Sequence, residues 1–357
     1  MANVSNNPTH IFGSSRTACF QSCVFQRIIL RTGGREDRAF RFRIMNLRDE
    51  SQLASAVLMI RPARFQSNPM TAASNRFQGK SDVPHDAQQE AAAAEFDTLA
   101  QELQNNGIQV VRIDDTTEPH TPDSIFPNNW ISFHSDGTVV LYPMEAPNRR
   151  TERRPDIIDG LSRELGFEVH DVVDLSHHES NGHFLEGTGS MVLDRVNRIA
   201  YACLSTRTHL DALGEFAQRL DYEVIAFDAV DRDGAAIYHT NILMTVGESL
   251  AVICAESLPR KDQRDAVVQS LSSTGHEVVL LSFDQLDAFA GNMLELRSQS
   301  GQNIVAMSAR AYDSLTKDQV STLAKHAKIV SVPINNIEDS AGGSVRCMLA
   351  EIHLPTA

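Results

Sequence analysis

The stretch "HLDALGEFAQRLDYEVIAF" (209–227) reads as an amphipathic helix, a turn near Asp221 and an apolar strand. Leu213, Phe216 and Leu220 recur at three- and four-residue spacing, so they share one helical face that has to be buried against something. The same order of helix, turn and strand returns in "AQQEAAAAEFDTLAQELQNNGIQVVRI" (87–113), "PDIIDGLSRELGFEVHDV" (155–172), "PRKDQRDAVVQSLSSTGHEVVLL" (259–281) and "TKDQVSTLAKHAKIVSVPI" (316–334). The turns fall at Gly107, Gly166, Asp221, Gly275 and near Ala327, at intervals of 59, 55, 54 and 52 residues. A near-constant period of this size marks a chain built from repeated units. The glycines stand where a helix ends in a left-handed residue. Pro155 and Pro259 are expected to open helices, where a missing N–H costs little. In the fourth helix, Val267, Val268 and Leu271 carry the apolar stripe.

Between the helices lie short β-rich runs: "GTVVLYP", "GSMVLD", "RIAYACL", "NILMTVG", "SLAVICA", "NMLELR" and "NIVAMS". Several pair across turn residues, as hairpins do. The class is α/β. Alternating strands and helices fit a doubly wound sheet. Five equal units also fit radial repetition about an axis, which limits exposed sheet edges. Periodicity does not separate the two. The ring would bring equivalent loops of all five units to one central cavity.

Composition narrows the function. The chain has 357 residues, 42% apolar and 22% charged, which suits a globular protein with a sizeable core. Its net charge of −14 argues against nucleic acid as a partner. No apolar run reaches membrane-spanning length. Five scattered cysteines, Cys19, Cys23, Cys203, Cys254 and Cys347, make no disulfide framework and point to a reduced, cytoplasmic setting. Residues 1–44 differ from the rest, with seven arginines, no lysine and only Glu36 and Asp37 as acids. They read as a disordered extension or a start placed early, with Met45 as the true start; a transit peptide is the other reading. We therefore expect an N-terminal extension over 1–50 and one catalytic domain over 51–357.

Three residues are candidates to carry chemistry. Cys347 lies in "DSAGGSVRCMLAEIHLP" (339–355), after Gly342 and Gly343 and before a strand-like run. A thiol after such a turn can be exposed and reactive; the bland alternative is a core cysteine. His239, in "AAIYHTNILMTVG" (235–247), stands at the entrance of a strand, where a neutral imidazole can act as acid and base or be merely a strand-end residue. Glu186, in "GHFLEGTGSMVLD" (182–194), can orient a histidine or be a turn glutamate. Glu186 and His239 are 53 residues apart and His239 and Cys347 are 108 apart, close to one and two repeats. Each thus holds a similar place in its own unit, and a ring would bring them together. "PDSIFPNNWISF" (122–133) adds Asp123, Asn128 and Asn129, whose amides can both give and take hydrogen bonds. His170, His177, His178 and His183 crowd one stretch, but without the spacing of a catalytic zinc site.

These residues resemble the guanidino-group-modifying superfamily, the pentein fold of arginine deiminases, dimethylarginine hydrolases and amidinotransferases, over about residues 54–357. "GGSVRCM" is similar to the segment around that family's catalytic cysteine, "YHTN" to that of its histidine and "LEGTG" to that of its glutamate. "MIRPARFQSNPMTAASNRFQ", "FPNNWISFHSDG" and "ESNGHFLEGTGSMVLDR" look like the arginine-deiminase-related, citrulline-utilisation branch. The resemblance implies a pentein-type five-bladed α/β propeller, Cys347 as nucleophile, His239 as acid and base, Glu186 as their partner, and neither cofactor nor metal. It implies a small amino-acid substrate, citrulline or arginine-like; a homo-oligomer is compatible with it.

The chain departs from the deiminases at two points. Their aspartate in an "FTRDP" turn is matched by Asn129, and the aspartate two residues after their histidine by Asn241. A guanidinium pairs best with carboxylates. Amides in their place favour a neutral ureido group, hence citrulline hydrolysis to ornithine, carbon dioxide and ammonia, although Asp123 could restore negative charge. Arg61, Arg64 and Arg346 are candidates for the substrate carboxylate. The alternatives are an arginine deiminase, an amidinotransferase, a methylarginine hydrolase or, in another class, a non-catalytic binding module of the same fold.

Overall fold

A computed structural model describes residues 50–79 and 84–356. The arginine-rich opening stretch lies outside them, as do Cys19 and Cys23. The strands are β1 (Ala56–Arg61), β2 (Gln109–Asp114), β3 (Ile131–Phe133), β4 (Thr138–Leu141), β5 (Asp171–Asp174), β6 (Val192–Asp194), β7 (Ile199–Cys203), β8 (Glu223–Phe227), β9 (Met244–Val246), β10 (Leu250–Ile253), β11 (Glu277–Leu280), β12 (Leu294–Arg297), β13 (Asn303–Ser308), β14 (Lys328–Val332) and β15 (Ala350–Ile352). They form five three-stranded sheets, ordered β15-β1-β2, β3-β4-β5, β6-β7-β8, β9-β10-β11 and β12-β13-β14.

Every sheet has the same plan. Its middle strand pairs antiparallel with one neighbour and parallel with the other. The parallel partner is reached through a repeat helix, as a parallel connection requires: α1 (His85–Asn105), α2 (Pro155–Arg163), α3 (Leu210–Leu220), α4 (Lys261–Ser273) and α5 (Lys317–His326). One sheet is completed out of order, because β15 at the far end of the chain pairs with β1, with Ala56 opposite Ile352. The last unit therefore contributes to the first sheet.

The helices bury the faces that their spacing dictates. In α3, Ala212, Leu213, Phe216 and Leu220 are buried and pack with Ala200, Ala202 and Tyr222. Each such large apolar side chain contributes roughly 1.5–3 kcal/mol. In α4, Val267 and Leu271 are buried while Val268 is only half-buried. Gly107, Gly166, Asp221 and Gly275 all take positive φ at the predicted turns. Ala327 instead caps α5 in extended backbone. Pro155 is the first residue of α2, but Pro259 precedes the N-cap Arg260 of α4, so it sits just outside the helix that it was expected to open. Among the described residues, no helix is long and apolar enough to cross a membrane.

Candidate active site

The site is built from one recurring device. The strand that opens four of the antiparallel pairs follows a short helical turn: Pro127–Asn129 before β3, Gly187–Ser190 before β6, Thr240–Leu243 before β9 and Val345–Met348 before β15. Before β12 a turn ends at Asn292. Asn128, Asn129, Glu186, His239, Asn241, Asn292 and Cys347 all lie in or immediately beside these turns. His239 is thus the N-cap of a helical turn rather than the first residue of a strand.

Cys347, His239, Asn129 and Asp123 line one cavity, together with Arg149, Arg207 and Tyr238. Cys347 is 3% exposed and free. Its sulfur accepts amide N–H bonds from Asn241 Nδ2 at 3.3 Å and Asn292 Nδ2 at 3.2 Å. Donors facing sulfur from two sides suit negative charge there. Asn292 also donates to the Asn241 carbonyl at 2.8 Å, which ties the two turns together. The carbonyl oxygens of both side chains, Asn241 Oδ1 and Asn292 Oδ1, are buried and have no protein partner.

The turn in front of the cysteine is held from three sides. Gly342 ends the helix Asn335–Ala341 at φ 66°, a conformation that glycine takes without strain. Tyr238 donates its hydroxyl to the Gly342 carbonyl at 2.6 Å, and Asn75 donates to the Ala341 carbonyl at 2.8 Å. The residue before His239 therefore also fixes the approach to Cys347.

His239 and Glu186 form a buried pair, with His239 Nε2 2.9 Å from Glu186 Oε2. Burial, only partly opposed by Glu186, pushes the imidazole down to about 4, so it is neutral near pH 7. For Glu186, burial acts to raise the carboxyl, but Arg207, the His239 bond and Arg149 overcome it and hold it well below the usual range. Arg207 Nη1 and Arg149 Nη1 stand 3.5 and 3.7 Å from Glu186 Oε2. Gly189 makes this closeness possible: a Cβ there would lie 2.8 Å from His239 Nδ1 and 2.5 Å from Asn129 Nδ2.

Arg149 is the hub of the remaining charges. It forks onto Glu152 at 2.9 Å, donates to Asn129 Oδ1 at 2.8 Å and lies 3.7 Å from Asp123 Oδ2. Asn129 in turn donates to Asn128 Oδ1 at 3.0 Å, so both ends of its amide are engaged. Asp123 also accepts from Asn68 at 2.7 Å. Arg207 packs its guanidinium 4.7 Å above the Tyr238 ring and donates to Ser74 Oγ at 2.8 Å.

The structure thus gathers Cys347, His239, Glu186, Asn129, Asn241, Asn128 and Asp123 in one region. It does not gather the three arginines expected for a substrate carboxylate. Arg61 forks onto Asp97 at 2.9 Å near the surface, Arg64 pairs with exposed Glu118, and Arg346 turns to Glu351 at 2.7 Å. Arg149, Arg207, Tyr238 and Asn292 were not anticipated.

The family model described as N,N dimethylarginine dimethylhydrolase, eukaryotic, matches residues 61–354. The chain belongs to this family. It is accordingly a member of the pentein superfamily of guanidino-group-modifying enzymes. No curated protein sequence matches it. Its fold is similar to that of apo ArgZ, an arginine dihydrolase from the ornithine-ammonia cycle in cyanobacteria, at TM-score 0.66 and 18% identity over 85% of this chain. The chain spans only 41% of the ArgZ chain. It matches 99% of the ArgZ N-terminal domain, solved with a covalently bound reaction intermediate, at TM-score 0.64 and 19% identity over 84% of this chain. A dimethylarginine dimethylaminohydrolase adduct with S-methyl-L-thiocitrulline matches at TM-score 0.56 and 13% identity, over 84% of this chain and 99% of that one.

Proposed function

We propose that this family member hydrolyses the ureido group of citrulline through a covalent intermediate on Cys347. The observation that carries the reading is a free thiol, a neutral imidazole and its carboxylate partner in one buried region whose arginines are already matched with acids. Cys347 gives its proton to His239, and the sulfur bonds to the ureido carbon. His239 returns that proton to the terminal nitrogen as its bond to carbon breaks, and ammonia leaves. A water that loses its proton to His239 attacks the remaining thiocarbamate, and the carbon–sulfur bond breaks. The carbamate so formed loses carbon dioxide and leaves ornithine. Glu186 fixes the His239 ring through both steps and steadies its charged form.

Three features support a neutral substrate group. Amides rather than carboxylates flank the sulfur. Their buried oxygens, Asn241 Oδ1 and Asn292 Oδ1, suit the N–H donors of a ureido group. Asp123 and Glu186 already face Arg149 and Arg207, so an entering guanidinium would find no unclaimed carboxylate. Asn129, engaged by Arg149 and Asn128, serves by fixing Arg149. The second reading, a methylated arginine, rests on the description of the family model. We further read the five sheets as blades about one axis; β15 closing onto β1 and the clustering of equivalent turns support this.

The test is to incubate the purified chain separately with L-citrulline, L-arginine and N,N-dimethylarginine and to identify the products. Ornithine from citrulline supports the proposal. Citrulline formed from either arginine compound, with citrulline itself inert, sinks the ureido reading and keeps the nucleophile.

The pH profile tests His239. Its ring must be neutral to receive the Cys347 proton, so kcat/KM should stay level from about pH 7 to about 5 and fall as pH drops through about 4. Stability moves with the same sign: an unfolded histidine titrates at about 6.5, so between about 6.5 and 4 the unfolded chain binds the extra proton and stability falls with pH. Circular dichroism at each pH separates the two effects. An acid limb centred near pH 6.5 in the folded chain would contradict the buried, neutral assignment.

A further inference from the structure

The histidine-rich stretch that plays no part in the catalytic site meets α3 in a regular way. Asp211 and Glu215 are one turn apart on α3, so their carboxylates share a face. Each is met by two histidines. His177 Nε2 and His178 Nε2 converge on Glu215 Oε2 at 3.2 and 2.8 Å. His183 Nδ1 and His209 Nδ1 stand 3.1 and 3.9 Å from Asp211 Oδ2. In each set, the candidate ligand atoms all lie within 4.8 Å of one another.

A tetrahedral zinc ion with bonds of 2.0–2.1 Å holds its ligand atoms about 3.3 Å apart. The histidine–carboxylate separations lie just below that value in the first set, at 2.8 and 3.2 Å, and on either side of it in the second, at 3.1 and 3.9 Å. Two imidazoles and a carboxylate are also the donor types that zinc-class ions prefer over magnesium or calcium. The rings of His183 and His209 stack 3.7 Å apart and nearly parallel, a placement that two positive rings would not share. His209 Nδ1 accepts the Asp211 backbone N–H at 3.2 Å, so an ion at the second set would take the place of that N-cap bond.

We propose that this face binds two divalent ions of the zinc class, one through His177, His178 and Glu215 and the other through His183, His209 and Asp211. Neither ion belongs to the reaction. Their position gives them a structural role toward it. His183 precedes Glu186 by three residues, and His209 follows Arg207 by two. The two segments are already bonded, His209 N–H to the Phe184 carbonyl at 2.7 Å and Glu186 N–H to the Arg207 carbonyl at 3.3 Å. An ion across His183 and His209 would pin together the segments that deliver Glu186 and Arg207.

The experiment uses the untagged full chain with Cys347→Ser, which removes the catalytic thiol as a competing ligand, after stripping with a chelator. Zn2+ is titrated calorimetrically, and Co2+ is followed by its visible absorption. Two binding events are expected. His177→Ala/His178→Ala should weaken one at least ~10-fold, and His183→Ala/His209→Ala the other. Glu215→Gln, a milder change on the same helix, should repeat the first loss with the circular dichroism spectrum unchanged. Isotherms and Co2+ spectra unaltered by these substitutions, or no binding at all, would overturn the proposal. A single event that responds only to His177 and His178 would overturn the second site.

Discussion

Cys347→Ser should lose at least about 10³-fold in turnover while keeping its fold. The size of the loss follows from the role: no other described side chain at the site is a comparable nucleophile, and a hydroxyl surrounded by the same groups is far less ionised than a thiol. The fold should survive because serine is nearly isosteric, and the two amide N–H donors from Asn241 and Asn292 that face the sulfur can bond an oxygen instead. The wild-type chain, quenched during turnover, should carry an added mass on the peptide that contains Cys347, and the variant should carry none. His239→Ala should also fall by orders of magnitude but still leave the thiol free to be alkylated. A Cys347→Ser chain that retains a tenth of wild-type turnover would end the assignment of the nucleophile. Loss of turnover together with a lowered melting temperature would leave only a structural role for Cys347.

The parts of this site that were readable in sequence are those tied to the repeat. Glu186, His239 and Cys347 stood out because their spacing follows the period of the helices. That spacing holds in the structure because each residue lies in or immediately beside the helical turn that leads into an antiparallel strand. The same rule, carried one step further, would have found Asn292. Glu186, His239, Asn292 and Cys347 lie 53, 53 and 55 residues apart. The arginines follow no such rule. Arg149 belongs to "PNRRTERR" (147–154), which reads as a solvated charge run, and only its position against Asp123, Glu152 and Glu186 removes it from water. Arg207 in "STRTH" carries no periodic signal; a contact across three units buries it. Arg61 and Arg346 misled for the converse reason, since an arginine near a motif is a weak guide when a nearer carboxylate claims it. The helices and strands were legible because burial imposes a period on them. The fifth turn and Pro259 were not, because turn chemistry shifts by a residue without altering the core.

Arg149→Met should be the most destabilising single change at the site, by about 3–5 kcal/mol. Arg149 is 1% exposed, and all the polar atoms of its guanidinium are spoken for: Nε and Nη2 donate to Glu152, Nη1 to Asn129 Oδ1, and Nη2 also reaches the Asp123 and Phe126 carbonyls at 3.4 Å. Methionine fills most of the volume, so packing is not the main loss. What remains is the Glu152 carboxyl, 3% exposed, pushed up to about 8 by burial even with Arg149 opposing and now without that partner, and Asp123 and Glu186 with one cation fewer. A buried charge left unpaired costs several kcal/mol because water cannot reach it. For a chain of this size, that corresponds to a fall of roughly 10 °C in melting temperature. The double variant Arg149→Met/Glu152→Met separates this cause from lost packing. Removing both charges should restore a large part of the stability, because the penalty lies in the orphaned carboxylate rather than in the absence of the pair. Activity should not return with it, since Asn129 and Glu186 still lack the Arg149 Nη1 that faces them. Arg149→Met within about 1 kcal/mol of wild type, or a double variant less stable than the single one, would show that the cluster tolerates its charges in another way and would remove Arg149 as its organising residue.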